Sequence, residues 1–186
     1  MSNMYESGRI MTEDEIIGYL IDSLEDDRKD FSVFAIKQLK HYHSAKIIEK
    51  LLEIVESAED IDKKVAALNS LKKRKPSLFT KSIVLKQLFS PQEEIRTEAA
   101  NLLLEFDEEL ISDLEKLMSD KAPDYTVGKI VWLLGNVGNP DTLINLDKSK
   151  ETIPTSIKPT FDDAIENIKR KYTKLMFKEI EKKEIK

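Results

Sequence analysis

Residues 124–146 read DYTVGKIVWLLGNVGNPDTLINL, and this stretch decides the fold class. The apolar run Ile130–Leu134 leads into the hexapeptide Gly135–Pro140, and a second periodic segment begins at Asp141. Glycine and asparagine readily adopt the left-handed backbone that ends many helices, and proline is favoured in the first turn of the next helix. The stretch therefore predicts a helix, a tight corner with left-handed backbone, and a second helix.

The composition extends this prediction to the whole chain. Of 186 residues, 40% are hydrophobic and 35% are charged, with only five glycines and six prolines. Leucine, isoleucine, lysine and glutamate recur at helical spacing, which favours an all-α fold with a sizeable core. The chain has no cysteine, so disulfides, thiolate metal sites and cysteine nucleophiles are excluded.

Two further features bear on location. The longest purely apolar run has five residues, so we expect no membrane-spanning segment and no membrane partner. The first fifteen residues contain no apolar core of a secretion signal. Together with the absence of cysteine, these features predict a cytoplasmic protein.

Apolar positions recur along the chain at a regular period. The first helices of successive predicted pairs align at Phe31, Ile61, Ile95, Tyr125 and Ile157, in steps of 30, 34, 30 and 32 residues. Small residues follow the aligned position by four or five places in three of these helices, where they would let two helices approach closely. A period in this range predicts a stacked helical array.

Two segments carry a family resemblance. The run Ile95-Arg96-Thr97-Glu98-Ala99-Ala100-Asn101-Leu102-Leu103 resembles the HEAT-repeat family, and the corner Leu134-Gly135-Asn136-Val137-Gly138-Asn139-Pro140 resembles its short repeats of the phycobilin-lyase type. The resemblance covers residues 24–174. It implies an α-solenoid of four to five stacked antiparallel helix pairs, with a groove lined by the second helices of the pairs.

The predicted boundaries follow from the same periodicity. Residues 1–11 lack it and are predicted to form a flexible tail. Residues 12–174 are predicted to form one solenoid domain, which opens on a capping box between Thr12 and Glu15. Residues 175–186 are predicted to continue the last helix with a frayed end. The second helix is expected to bury one face, formed by Phe31, Phe34, Ala35, Gln38 and Leu39.

No pattern of a reaction centre is present. His41 and His43 are two residues apart, which on a helix directs them to different faces, and neither has a serine or aspartate at diagnostic spacing. The carboxylate clusters lie at predicted helix edges, where acids act as caps, and they lack the pattern of a calcium loop. We therefore predict no catalytic residue, no metal ligand and no cofactor, and hence no enzyme.

Charge is strongly segregated along the chain. The net charge of −5 combines −7 over residues 1–60, +7 over 61–90, −8 over 91–151 and +3 over 152–186. The candidate site is the basic block between the two acidic segments, comprising Lys63, Lys64, Lys72, Lys73, Arg74, Lys75, Lys81 and Lys86.

Four interpretations of this block remain open. It is either solvated surface that complements a helix C-terminus, a docking patch for an acidic protein, a nucleic-acid contact, or one side of a head-to-tail self-association. The flanking acidic segments and the lack of interleaved aromatic residues disfavour nucleic acid.

The resemblance implies a function as a non-catalytic scaffold or adaptor for an unidentified protein partner. The alternatives are nucleic-acid association through residues 61–90, and an accessory role in handling a cofactor or chromophore. Trp132 bears on this choice. In the core, its replacement by alanine would cost about 3–5 kcal/mol, whereas an exposed Trp132 becomes a candidate contact residue.

Overall fold

The structure is a computed structural model, and it describes residues 5–6, 9–72, 74, 77–119 and 122–184. This part of the chain is helical apart from one two-stranded pair, which confirms the all-α prediction. Its α-helices are α1 (Glu13–Asp22), α2 (Lys29–Leu39), α3 (Ala45–Ser57), α4 (Ile61–Leu71), α5 (Leu78–Gln87), α6 (Glu93–Leu103), α7 (Ile111–Ser119), α8 (Asp124–Val137), α9 (Pro140–Ser149) and α10 (Lys158–Glu184). None of the described helices has the length and apolar character needed to cross a membrane.

The chain forms two compact units. The first comprises Met1–Gln87 and Gln92–Leu102, and the second comprises Leu88–Pro91 and Leu103–Lys186. Units of a helical array contact only their neighbours in sequence. Contacts within each unit do not test whether the array continues from one unit to the next. One continuous array over residues 12–174 therefore stays a prediction.

In the first unit, α2 and α4 pack side by side, α1 packs on α2, and α3 packs on both α4 and α5. The α4 side of the α2 contact is built from small residues, since Ala66, Ala67 and Ser70 are all buried. The Ser70 hydroxyl donates a 2.9 Å hydrogen bond to the Ile36 carbonyl oxygen on α2. This bond ties the two helices together with a polar group that would otherwise be buried at a cost.

In the second unit, α8 packs along α10, α7 packs on α8, and α9 packs on α10. The core of this unit is formed by α8, on which Ile130, Val131, Leu133 and Leu134 are completely buried. Trp132 lies within the same run but is 38% exposed, so it is outside the core. The residues on both sides of Trp132 are buried, and Trp132 itself lines a groove with residues of α10.

The N-terminal capping box is confirmed. The Glu15 amide donates to the Thr12 hydroxyl at 3.3 Å, and the Thr12 amide donates to the Glu15 carboxylate at 2.8 Å. Before it, in the segment predicted as a flexible tail, Tyr5–Glu6 pairs antiparallel with Arg9–Ile10. Met11 is buried, which fixes the chain at the entrance to α1.

The corner between α8 and α9 forms where the sequence predicts it, but its backbone is not left-handed. Asn139 caps α9 by accepting from the Thr142 amide, and Pro140 occupies the first turn as expected. Gly138 has φ −57° and ψ 154°, which any residue can adopt. The prediction of left-handed backbone is therefore wrong here, and the two glycines serve a different purpose.

That purpose is close helix packing. A Cβ atom at Gly135 would lie 2.7 Å from the Ala164 Cα and 2.8 Å from its Cβ. A Cβ atom at Gly138 would lie 2.3 Å from the Leu134 carbonyl oxygen and 2.8 Å from the Ile168 Cδ1. The glycines thus let α10 approach the α8 backbone directly.

The face that α2 buries also differs from the prediction. Ser32, Ala35, Ile36 and Leu39 are buried, whereas Phe31 and Phe34 are 52% and 57% exposed. Both sets recur at helical spacing and are about one residue apart in register, so periodicity alone could not separate them. The set with small residues faces α4 because it permits the closer contact, and the Arg28 guanidinium covers Phe31 at 4.2 Å from the ring centroid.

The glycines of α8 provide a matched pair of substitutions. We expect Gly135→Ala to lower the free energy of unfolding by about 1–3 kcal/mol, since the new methyl group overpacks the contact with Ala164. Gly128→Ala on the same helix meets nothing within 4 Å. It should raise stability by about 0.5–1 kcal/mol through helix propensity. Urea denaturation measures both, and equal effects would contradict the role assigned to Gly135.

Asp107 lies in strained backbone inside the 3₁₀ segment Leu104–Leu110. Its φ of 47° and ψ of −134° form a conformation that side chains with a Cβ rarely adopt. The segment leads directly into α7, which begins at Ile111. Strain of this kind costs about 1–3 kcal/mol.

Removal of the Cβ at this position should therefore relieve the strain. We expect Asp107→Gly to raise the free energy of unfolding by about 1 kcal/mol, because the relief exceeds the added entropy of the unfolded chain. Asp107→Ala removes the same carboxylate but keeps the Cβ, so it should bring no such gain. If both variants gain equally in a thermal melt, the carboxylate and not the backbone is the source of the strain.

Candidate functional site

A groove of about 680 Å³ runs between α2 and α4 in the first unit. Its floor is apolar, formed by Val33 from α2 and by Val65 and Ala66 from α4. Its rims are charged and carry four lysines and two aspartates, namely Lys29, Lys37, Lys40, Lys72, Asp30 and Asp62. The groove therefore combines apolar contact area with a positive local charge.

Two of the four lysines are neutralised within the unit. The Lys29 ammonium forms ion pairs with Asp62 at 2.6 Å and with Asp60 at 3.0 Å. The hydrogen bonds to Asp62 and then to Asp60 raise the pKa of Lys29 above its ordinary value. Lys72 pairs with Glu98 on α6. These pairs hold α2, α4 and α6 in register and leave little charge available to a ligand.

Lys37 and Lys40 differ from the other two. Both side chains are exposed on the groove rim, and neither forms an ion pair or hydrogen bond within the described part of the chain. They lie in the last turn and at the C-cap of α2, where cations complement the helix dipole. The dipole of α2 therefore stabilises both positive charges, and both side chains line the groove.

The structure places the described members of the predicted basic block on α4, immediately after α4, and on α5. Lys72 lines the groove, whereas Lys86 lies on α5 and pairs with Glu56 on α3 at 3.1 Å. The Lys63 ammonium donates to the Leu24 carbonyl oxygen at 3.4 Å. Lys64 and Lys81 are half-buried, and Lys81 is already engaged in an interaction. Lys73 and Lys75 lie outside the described residues.

Arg74 has a structural position and is not a surface cation. It is 6% exposed, and burial lowers the pKa of its guanidinium. Its Nη2 donates to the Leu39 carbonyl oxygen at 2.7 Å, and its Nε donates to the Ser70 carbonyl oxygen at 3.1 Å. Arg74 therefore links the C-terminal ends of α2 and α4, and among the described members of the basic block it is the only one that is buried.

Sequence reasoning missed Lys37 and Lys40. Together with Val33 they lie at i, i+4 and i+7 on α2, which is one helix face, so a local signal was present. Summing charge over residues 1–60 concealed them, because that segment has a net charge of −7. Counting charges on each helix face separately would have distinguished these two lysines from the acidic residues elsewhere in the segment.

The two histidines lie at the corner between α2 and α3, and both are exposed. Within the described residues, no three His, Asp or Glu side chains converge as metal ligands would.

Comparison with known proteins bears on the fold only. No family model matches the chain, and no curated protein matches it. Among solved structures, the chain is similar to a crystal structure described as an engineered protein of the Northeast Structural Genomics Consortium. The two share 16% sequence identity with a TM-score of 0.50, over 83% of this chain and 79% of the other. At this identity the similarity supports a helical architecture and carries no function.

The position of Arg74 predicts a large effect on stability. We expect Arg74→Ala to lower the free energy of unfolding by about 1.5–3 kcal/mol, since it removes hydrogen bonds from a charged donor to buried carbonyls. Lys86→Ala removes an exposed ion pair and should cost less than about 1 kcal/mol. Chemical denaturation compares the two, and equal losses would show that Arg74 makes no special contribution.

Proposed function

We propose that the chain is a non-catalytic scaffold whose α2/α4 groove binds an acidic segment of a protein partner. The observation that carries this proposal is the pair Lys37 and Lys40, which stand unpaired above the apolar floor of the groove. An acidic segment with aliphatic side chains would satisfy both features at once. Its apolar groups would cover Val33 and Val65, and its carboxylates would reach the two lysines.

The proposal includes an α-solenoid architecture of the HEAT-like kind. First helices neighbour one another, α2 with α4 and α8 with α10, and a second helix packs on the next first helix, as α3 does on α4 and α7 on α8. Stacked antiparallel pairs produce this order of contacts. The resemblance suggests a groove on the second helices, but the groove with unpaired cations lies on first helices. We therefore propose the first-helix face as the binding face.

Electrostatics would contribute mainly selectivity. The chain has a net charge of −5, so an acidic partner is repelled at long range and attracted only near the groove. Salt of about 0.15 M screens charges beyond roughly 8 Å, which weakens the long-range repulsion and leaves contact pairs less affected. Binding should thus be governed by local fit to the groove and not by the overall charge.

The other two functions receive less support. A nucleic acid needs several available cations, but Lys72 and Lys86 are paired with glutamates and Arg74 is buried. Handling of a cofactor or chromophore needs an enclosed apolar pocket with a few convergent polar groups. The α2/α4 groove is open, and charged side chains line its rims.

A capture experiment with matched variants tests the proposal. Wild type, a Lys37→Gln/Lys40→Gln variant and a Lys46→Gln/Lys148→Gln control are immobilised and exposed to nuclease-treated native lysate. The control removes two exposed lysines outside the groove. Acidic segments of the captured protein are then synthesised and titrated. We expect about a tenfold lower affinity for the groove variant, which is the loss of two exposed charge pairs, and no loss for the control.

Two results would contradict the proposal. One is unchanged affinity of the groove variant for the captured protein, which would place the contact on another face. The other is capture that disappears on nuclease treatment, which would favour the nucleic-acid alternative. Thermal melts of all three proteins confirm that the substitutions leave the fold intact.

A further inference from the structure

A second groove, of about 420 Å³, lies between α8 and α10 in the second unit. Its lining includes the side chain of Trp132, which is 38% exposed and is the single tryptophan of the chain. The other lining residues come from α10 and are Thr160, Asp163, Ala164, Glu166, Asn167 and Arg170. An exposed indole at the edge of a buried helix contact offers a large flat surface for a ligand.

The helix packing determines which α10 residues lie near the indole. Gly135 meets Ala164, and Gly138 meets Ile168, so α8 and α10 run in the same direction. Trp132 precedes Gly135 by three residues and therefore lies at the level of Thr160 to Asp163 on α10. Arg170 follows Asp163 by seven residues, which is about 10 Å along the helix. Arg170 also lines this groove, and its guanidinium reaches back along α10 to Asn167.

Two unpaired carboxylates line the groove beside the indole. Asp163 and Glu166 are exposed, and neither takes part in a hydrogen bond or ion pair within the described residues. Arg170 could have paired with Glu166 one turn away, but its Nη2 instead donates to the Asn167 Oδ1 at 2.6 Å. Lys129, one turn before Trp132 on α8, does not line the groove. Two of the three charged side chains that line the groove are therefore carboxylates without a partner among the described residues.

We propose that this end of the groove binds an arginine side chain from a segment of a protein partner. A guanidinium stacks on an indole face through cation–π attraction, and Trp is the strongest aromatic partner for it. The same planar group donates two parallel hydrogen bonds to a carboxylate, which suits Asp163 or Glu166 beside the ring. The α8/α10 groove thus selects a cation, whereas the α2/α4 groove of the first unit selects an anion.

The sole tryptophan allows a site-specific test. A random 16-residue peptide library is selected on the wild-type protein and counter-selected on an Asp163→Asn/Glu166→Gln variant. The enriched peptides are synthesised with each arginine or with citrulline, its neutral isostere, and titrated while Trp132 emission is recorded. We expect enriched peptides to contain arginine, to change Trp132 emission saturably, and to lose at least about tenfold in affinity on the change to citrulline.

The matched controls separate this groove from the other one. Asp147→Asn/Glu151→Gln removes two exposed carboxylates outside the groove and should leave peptide affinity unchanged. Lys37→Gln/Lys40→Gln should also leave it unchanged, so failure here and failure of the α2/α4 proposal are distinguishable. Asp163→Asn/Glu166→Gln should reproduce the loss seen with citrulline.

Several outcomes would overturn the inference. These are no enrichment against the variant, enriched peptides without arginine, equal affinity of the citrulline peptide, and binding that leaves Trp132 emission unchanged. Peptides with lysine in place of arginine would also overturn it, because the planar guanidinium is the group proposed to fit between the indole and the carboxylates.

Discussion

Each of the two units depends on close contact between a pair of first helices, α2 with α4 in the first unit and α8 with α10 in the second. In the second unit this contact is backbone against side chain, since Gly135 leaves no room for a Cβ beside Ala164. In the first unit it uses small buried residues on α4 and a hydrogen bond from Ser70 to the Ile36 carbonyl. A single helix of ten to fourteen residues cannot cover its own apolar stripe, so a neighbouring helix has to bury it. In each unit, the contact between two first helices, α2 with α4 and α8 with α10, covers part of this apolar surface.

The same contact creates both candidate binding surfaces. Two parallel helices that touch along a narrow line leave a groove above it, and the residues beside the line form its rims. On α2 and α4 these rims carry Lys37 and Lys40, and on α8 and α10 they carry Asp163 and Glu166. The two grooves have a similar origin but opposite charge. An acidic segment would complement the charge of the α2/α4 groove, and a basic segment would complement that of the α8/α10 groove.

Much of the helical layout followed from local patterns in the sequence. The capping box at Thr12, the first-turn proline at Pro140, and the starts of α4 and α8 all agree with the structure. Each depends on interactions within three or four residues, which a local pattern encodes completely. The buried face of α2 followed only in part. Ala35 and Leu39 are buried as predicted, but Ser32 and Ile36 complete the face in place of Phe31 and Phe34, because both choices fit the helical period. The smaller side chains of α2 face α4, where they permit the closer contact.

The sequence by itself determined the all-α fold class and the local signals that begin individual helices. The tertiary structure decided which charges are available. Arg74 belongs to the most basic run of the chain, but its guanidinium donates hydrogen bonds to the carbonyl groups of Leu39 and Ser70. Lys37 belongs to an acidic segment, but it stands unpaired on a groove rim. The physical reason is that these ion pairs and buried hydrogen bonds join residues about thirty positions apart in sequence. A charge count along the chain does not show which of these distant residues meet in space.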